Sequence, residues 1–181
     1  MAVRRWLPRQ GARQPKKGGQ DACVGKNPTD RGKQGVKKSL LVEADGGPLA
    51  LVISAANVND AQLLATTLDA IVVERPQPTQ EAPQHLCLDK GYDNKTGEEA
   101  AIEAGYTPHI RRIGEEKLDA GGQKTHPARR WVVERTFGWL SRWRGILIRW
   151  EKKPANYLAV CKLACALLWY RRGDRISRAS F

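Results

Sequence analysis

The sequence predicts an α/β domain, and three observations carry that prediction. Short β-prone apolar runs alternate with segments of helical period. The first two runs flank a glycine- and proline-rich turn, the pattern of a β-hairpin. The chain has 181 residues, 41% of them hydrophobic, which is enough apolar material for one domain with part of the chain outside the core.

Taken in order, residues 1–35 are rich in Arg, Lys, Gln, Gly and Pro and show no period of either kind. They are read as a flexible basic segment, with order expected from Val36. Ser39-Leu40-Leu41-Val42-Glu43 and Leu49-Ala50-Leu51-Val52-Ile53 are the hairpin strands, joined by Asp45-Gly46-Gly47-Pro48. Asp60 is placed to cap a helix over residues 60–73, with Leu63, Leu64, Leu68 and Ile71 on its apolar face. Arg75-Pro76-Gln77-Pro78 ends it. His85-Leu86-Cys87-Leu88 reads as a short buried strand running into Asp89, and residues 95–104 as a helix closed by Gly105. Thr107-Pro108-His109-Ile110 is a further strand, and a polar loop follows over residues 114–125. Helix is predicted over residues 127–151, with a break at Gly145, and again from Pro154 to about residue 171.

Composition narrows the function. Leu158 to Tyr170 is the most apolar stretch, but it is too short to span a bilayer and holds Lys162. The basic N-terminus has no apolar run behind it, unlike a secretory signal. The four cysteines, Cys23, Cys87, Cys161 and Cys165, have no metal-ligand spacing, which points to a reducing, cytoplasmic setting. Net charge is +12, unevenly spread: residues 1–38 carry +9, residues 39–128 carry −7, and residues 129–181 carry +10. An acidic middle between basic flanks suits a protein that holds a polyanion while gathering carboxylates around a metal.

Two acids stand out. Asp89 closes an apolar strand, at the rim where open α/β sheets place ligands, although locally it reads first as a turn aspartate. Glu134 is the only acid between Asp119 and Glu151 and sits in a basic, apolar helix. Its local alternative is an ion pair with Arg130, four residues before it. Trp131, Trp139 and Trp143 fit packing at least as well as base stacking. Divalent-metal phosphoryl transfer uses carboxylates converging from separate elements, and these two are candidates that lack a third.

Asp89-Lys90-Gly91-Tyr92-Asp93 resembles the D-x-G-Y/F signature around the second catalytic Asp of insertion-sequence DDE transposases. Arg130-Trp131-Val132-Val133-Glu134-Arg135-Thr136 resembles their R-x-x-x-E signature, which holds the third acid. Asn27-Pro28-Thr29-Asp30-Arg31-Gly32-Lys33, the hairpin over residues 38–54, Ala56-Asn57-Val58-Asn59-Asp60 and the helix over residues 158–169 match as well, so the resemblance extends over residues 16–172. It implies an RNase H-like fold in which a central sheet with flanking helices carries two Asp and one Glu. These bind Mg²⁺, with Mn²⁺ as substitute, in a two-metal site. Water then attacks a phosphodiester at the transposon end, and the freed 3′-OH attacks target DNA. By position, Asp89 and Glu134 become catalytic acids and metal ligands. Arg130, one turn before Glu134, is placed to meet a phosphate, with Arg135, Arg142, Arg144 and Lys33 as further DNA contacts. A homo-oligomer in the nucleoid is the expected setting.

The chain departs from the family pattern in two ways. The longer Y-x-x-R-x-x-x-E-x-x-x-x-x-x-K pattern wants Tyr at Pro127 and a base at Ser141, beside Arg142. The first Asp should end a strand upstream of Asn27, yet residues 1–12 contain no acid and no strand pattern, and Asp21 is a poor stand-in. The expectation is therefore an incomplete sheet lacking its first strand, a partial catalytic domain over residues 36–172 and a basic tail over residues 173–181. The same departure leads to the expectation of a copy without the N-terminal DNA-binding region, truncated or frame-shifted. Such a copy is expected to be inactive. The alternative is a non-catalytic, basic DNA-binding remnant; the ordered motifs count against an unrelated RNA-binding protein.

Overall fold

The computed structural model describes residues 2–6, 23–28, 31–110 and 130–179. Strands β1 (Ala2–Trp6), β2 (Gly25–Lys26), β3 (Gln34–Val42) and β4 (Pro48–Ala55) precede helix α1 (Asp60–Asp69). Strand β5 (His85–Leu88), a 3₁₀ turn (Lys90–Tyr92), α2 (Lys95–Glu103) and β6 (Thr107–Ile110) follow. Helices α3 (Arg130–Ser141), α4 (Arg144–Leu147) and α5 (Pro154–Ala179) complete the order.

β3 is the hub of the sheet. It pairs antiparallel with β4 on one side, with β1 on the other, and with β2 at its first two residues. β1 pairs in turn with β5, and β5 with β6, both in parallel. Both faces of β3 are covered, and its side chains divide by the two-residue period of a strand. Val36, Leu40 and Val42 pack with Val132, Val133, Phe137, Leu140, Ile146, Tyr157 and Cys161 from α3, α4 and α5. Leu41 packs on the opposite face with Leu64 and Leu68 of α1 and Ala100 and Ala101 of α2. The sheet is thus the middle of three layers, as predicted for an α/β chain.

The first strand is present, which corrects the expectation that the sheet lacks it. Ala2 to Trp6 pair with Val42 back to Lys38, and Ala2 and Val3 pair with Cys87 and Leu88. The sequence of β1 has no alternation to announce it. The facing edges of β3 and β5 supply the reason, because each leaves a row of backbone groups that an extended segment between them satisfies.

Other boundaries shift for local reasons. β3 begins at Gln34, ahead of the expected run from Ser39, with β2 beside it. Asn59 rather than Asp60 caps α1, its side chain accepting from the Ala61 N–H at 2.9 Å, because the Asp60 carboxylate is paired with Lys37. α1 ends at Asp69 instead of residue 73, where Val72 N–H turns to the Leu49 carbonyl of β4. The long helix predicted through residue 151 breaks before Gly145. Arg142 and Trp143 close back onto Trp139 and Leu140 by three-residue bonds, the tightened last turn of a helix. α5 continues to Ala179, past the expected end near residue 171. The polar loop over residues 114–125 lies outside the described residues.

Candidate functional site

Asp89 stands directly after β5, where buried Leu86 and Leu88 fix the strand in the α1–α2 layer of the core. Its side chain accepts from the Lys90 N–H at 2.8 Å and opens the 3₁₀ turn, and its carbonyl accepts from the Tyr92 N–H. Buried Tyr92 anchors that turn. Asn94 then caps α2 through the Gly97 N–H. A Cβ at Gly97 would lie 2.5 Å from the Tyr92 carbonyl oxygen, so only glycine admits this close approach of helix and turn. Asp89 is left half-buried at the end of the strand.

Glu134 lies on the exposed side of α3, because Val132, Val133, Thr136, Phe137 and Leu140 take the inward side. α3 packs across β1 and β3. Asp89 thus follows the strand beside β1, while Glu134 belongs to the helix that packs on β1 but lies on that helix's exposed side. β1 reads Ala-Val-Arg-Arg-Trp and contributes no carboxylate, and its register sets Val3 opposite Leu88, one residue before Asp89. Carboxylate oxygens are the donors that a hard divalent cation takes, and each of these two elements carries one. Among the described residues no group of three His, Cys, Asp or Glu has metal-holding geometry. Asp21 lies outside the described residues.

The basic candidates fall in different settings. Arg142, just after α3, and Arg144, the first residue of α4, are exposed, and Lys33 is exposed just before β3. Arg135 is half-buried: it donates to the Asp45 carbonyl at 2.7 Å, and its guanidinium lies 4.7 Å from the Trp131 ring and 5.1 Å from that of Trp139. Beside it, Thr136 Oγ1 donates to the Gly46 carbonyl at 2.7 Å. α3 thus grips the hairpin turn with two consecutive residues. The Arg130 backbone opens α3, while its side chain lies outside the described set.

A family model described as Transposase DDE domain matches residues 8–169 of this chain. The chain is also 36% identical over 158 residues, 84% of its own length and 72% of the relative's, to the Burkholderia cepacia protein named "Putative transposase for insertion sequence element IS402". The chain belongs to the DDE-type insertion-sequence transposases. No helix among the described residues is long and apolar enough to cross a membrane.

In this transposase domain the sequence did not single out a buried ion pair close to Asp89. Lys37, 2% exposed, meets the Asp60 carboxylate at 2.8 Å and also donates to the Val58 carbonyl. A Cβ at Gly91 would lie 3.4 Å from the other Asp60 oxygen, so this pair backs the turn that follows Asp89. The available signal was two adjacent lysines directly before the run Ser39-Leu40-Leu41-Val42. The second of them, Lys38, is fully buried toward α3–α5, where it donates to the Ile146 carbonyl at 2.6 Å and lies 5.5 Å from the Tyr157 ring centre. Burial pushes its ammonium pKa down to about 7, against a smaller opposing effect of the Cys161 thiolate form.

Proposed function

We propose that this chain is a transposase domain of the strand-cleaving and strand-joining kind whose own copy is catalytically silent. The observation that carries the proposal is the composition of β1. The two acids matching the family signatures sit at the end of the strand beside β1 and on the helix that packs over it, and β1 itself reads Ala-Val-Arg-Arg-Trp without a carboxylate. A mixed sheet covered by helices on both faces supports an RNase H-like assignment. In this proposal the catalytic domain takes in β1 and β2 as well as residues 36–172, because both strands pair into its sheet, and a basic tail follows.

Asp89 and Glu134 are the residues that would hold Mg²⁺ or Mn²⁺, and in this reading they approach closely enough to share a cation. When bound, such ions supply charge neutralisation at the attacking and leaving oxygens of the phosphodiester. The protein's share is to present hard oxygen donors from a strand end and a helix and to draw DNA to them with basic side chains. Arg130, Arg142, Arg144 and Lys33 meet phosphates of transposon-end and target DNA. Arg135 contributes positive potential from its place against the hairpin. With one acid of three absent, a two-metal site lacks its bridging ligand, and turnover stops. The domain acts in the nucleoid and as a homo-oligomer.

The test is a cleavage and joining assay on labelled duplex DNA in Mg²⁺ and in Mn²⁺. No product is expected. Cleavage by the unaltered chain that Asp89→Ala abolishes would sink the silent-copy proposal while keeping the acid assignment. The second candidate function, a non-catalytic DNA-binding remnant, is favoured by the +10 charge of residues 129–181. Binding that survives both Asp89→Ala and Glu134→Ala while no cleavage is seen would establish it.

A further inference from the structure

Among the described residues β6 is the last strand of the sheet, joined to β5 over four residue pairs. Pro108 within it has no N–H to give to a ladder, which is why proline is confined to edge strands. Across these two strands a pair of imidazoles meets. His85 Nδ1 and His109 Nε2 are 2.7 Å apart, with ring centroids at 4.9 Å and ring planes tilted by 41°. The register explains the meeting: His85 is opposite Thr107 and His109 opposite Cys87, so the two histidines are diagonal neighbours on one face.

In the neutral pair one of these nitrogens carries a proton and the other accepts it. With that proton moved to the donor ring's second nitrogen, two lone pairs face the same gap. Two nitrogens held at about 2.0–2.1 Å from a tetrahedral ion are themselves about 3.3 Å apart, so the rings need to open by only about 0.6 Å. His85 is exposed and His109 half-buried, which leaves the gap open to an ion and to water. Cys87 shares this face by register but packs against the α3–α5 core cluster. Among the described residues no third His, Cys, Asp or Glu joins them in metal-holding geometry, so water completes the coordination. His85 is the first residue of β5, whereas Asp89 directly follows the last. The carboxylate suits a hard cation such as Mg²⁺, and the imidazoles suit a zinc-class ion, so the two places differ in position and in chemistry.

We propose that His85 and His109 form a binding site for a divalent transition-metal ion of the Zn²⁺ class, which ties the edge strand β6 to β5. The site is independent of the cation role assigned to Asp89 and Glu134. An ion held by both strands binds the folded chain and not the unfolded one, so it stabilises the fold in proportion to its occupancy.

The experiment titrates the metal-free full chain with Zn²⁺ by calorimetry and follows its melting temperature as Zn²⁺ is raised. A one-to-one isotherm and a rising melting temperature are expected. His85→Ala and His109→Ala should each lose both effects while keeping the circular dichroism spectrum of the metal-free unaltered chain. His85→Gln and His109→Gln, which retain a polar side chain without an imidazole, should show the same loss and stand in for an alanine variant that misfolds. His126→Ala, which removes the one remaining histidine, should keep both effects, and so should Asp89→Ala. Any response to Mg²⁺ should be the same in every histidine variant. Absence of Zn²⁺ binding by the unaltered chain would overturn the site, as would binding that survives substitution of His85 or His109 or depends on His126. Loss of Zn²⁺ binding in Asp89→Ala would move the ion to the carboxylate and overturn the histidine site, leaving the assignment of Asp89 intact.

Discussion

Replacing Lys38 with methionine should stabilise the domain at neutral pH, and the size of the gain follows from its surroundings. The side chain is fully buried, and burial lowers its pKa from 10.5 to about 7. A shift of that size corresponds to a ceiling of roughly 5 kcal/mol between folded and unfolded states. Methionine fills a similar volume and leaves the Ile146 carbonyl satisfied, because Tyr157 Oη also donates to it at 2.7 Å. Loss of the lysine hydrogen bond and imperfect packing reduce the expected gain to about 2 kcal/mol. The pH dependence gives a sharper test. Below pH 7 both states hold the Lys38 proton, and the burial penalty is fully present. Between the folded pKa near 7 and the unfolded value of 10.5, the unfolded chain binds a proton that the folded chain lacks, so stability rises with pH. The limiting slope is about 1.4 kcal/mol per pH unit. Near Lys38 burial pushes the Cys161 thiol upward, and it pushes Cys165 up to about 12. Those thiols and Tyr157, also raised by burial, give the opposite slope only from the ordinary thiol range upward. Arg149 and Glu151 are the charged groups near Tyr157, and they face both proteins alike. Cys165 and Tyr157 are common to the two chains and cancel in the comparison. Cys161, whose thiol the Lys38 charge lowers, differs between them only from the ordinary thiol range upward, so the comparison is read below that range. Urea melts at neutral and mildly alkaline pH should therefore show the unaltered chain gaining on Lys38→Met as pH rises. A destabilised Lys38→Met at pH 7, or parallel pH profiles for the two proteins, would refute the reasoning.

Three further outcomes are expected. Gly97→Ala should cost about 1–3 kcal/mol in chemical denaturation, because the new methyl meets the Tyr92 carbonyl at 2.5 Å. Asp60→Asn should cost about 2 kcal/mol by leaving the buried Lys37 ammonium without its counter-charge, read in the same melts and restored in part by Lys37→Met. Affinity for duplex DNA, titrated by anisotropy, should fall steeply with salt and respond weakly to sequence, as expected for binding through phosphates; a flat response would exclude it.

Much of this fold was legible because local chemistry specified it. β5 and β6 occupy the residues that their short apolar runs indicated, and α2 begins and ends where Asn94 and Gly105 punctuate the chain. What sequence could not show was pairing whose reason lies elsewhere in the chain. β1 has no amphipathic pattern, and its two partners are β3 and β5. β3 was read as starting too late because Lys37 and Lys38 look like surface residues, yet each is buried against a distant partner, Asp60 in one case and the Ile146 carbonyl in the other. Asp89 and Glu134 were legible as a strand end and a helix face. The exposure of Trp131 was not, because three tryptophans on one helical stretch are alike until the position of the sheet is known.

The place of β1 between β3 and β5 also sets an order of events during synthesis. Val3 faces Leu41 on one side and Leu88 on the other, so its second partner is translated 85 residues after it. At ribosomal speeds of about 5–20 residues per second, that interval is on the order of ten seconds. A hairpin forms within microseconds, so β3 and β4 have ample time to pair and to collect β1 on their free edge. Throughout that interval β1 presents an open parallel edge, which only β5 closes. Nascent chains are most exposed to proteases and to one another in this window, and slower translation between residues 42 and 85 should lengthen it.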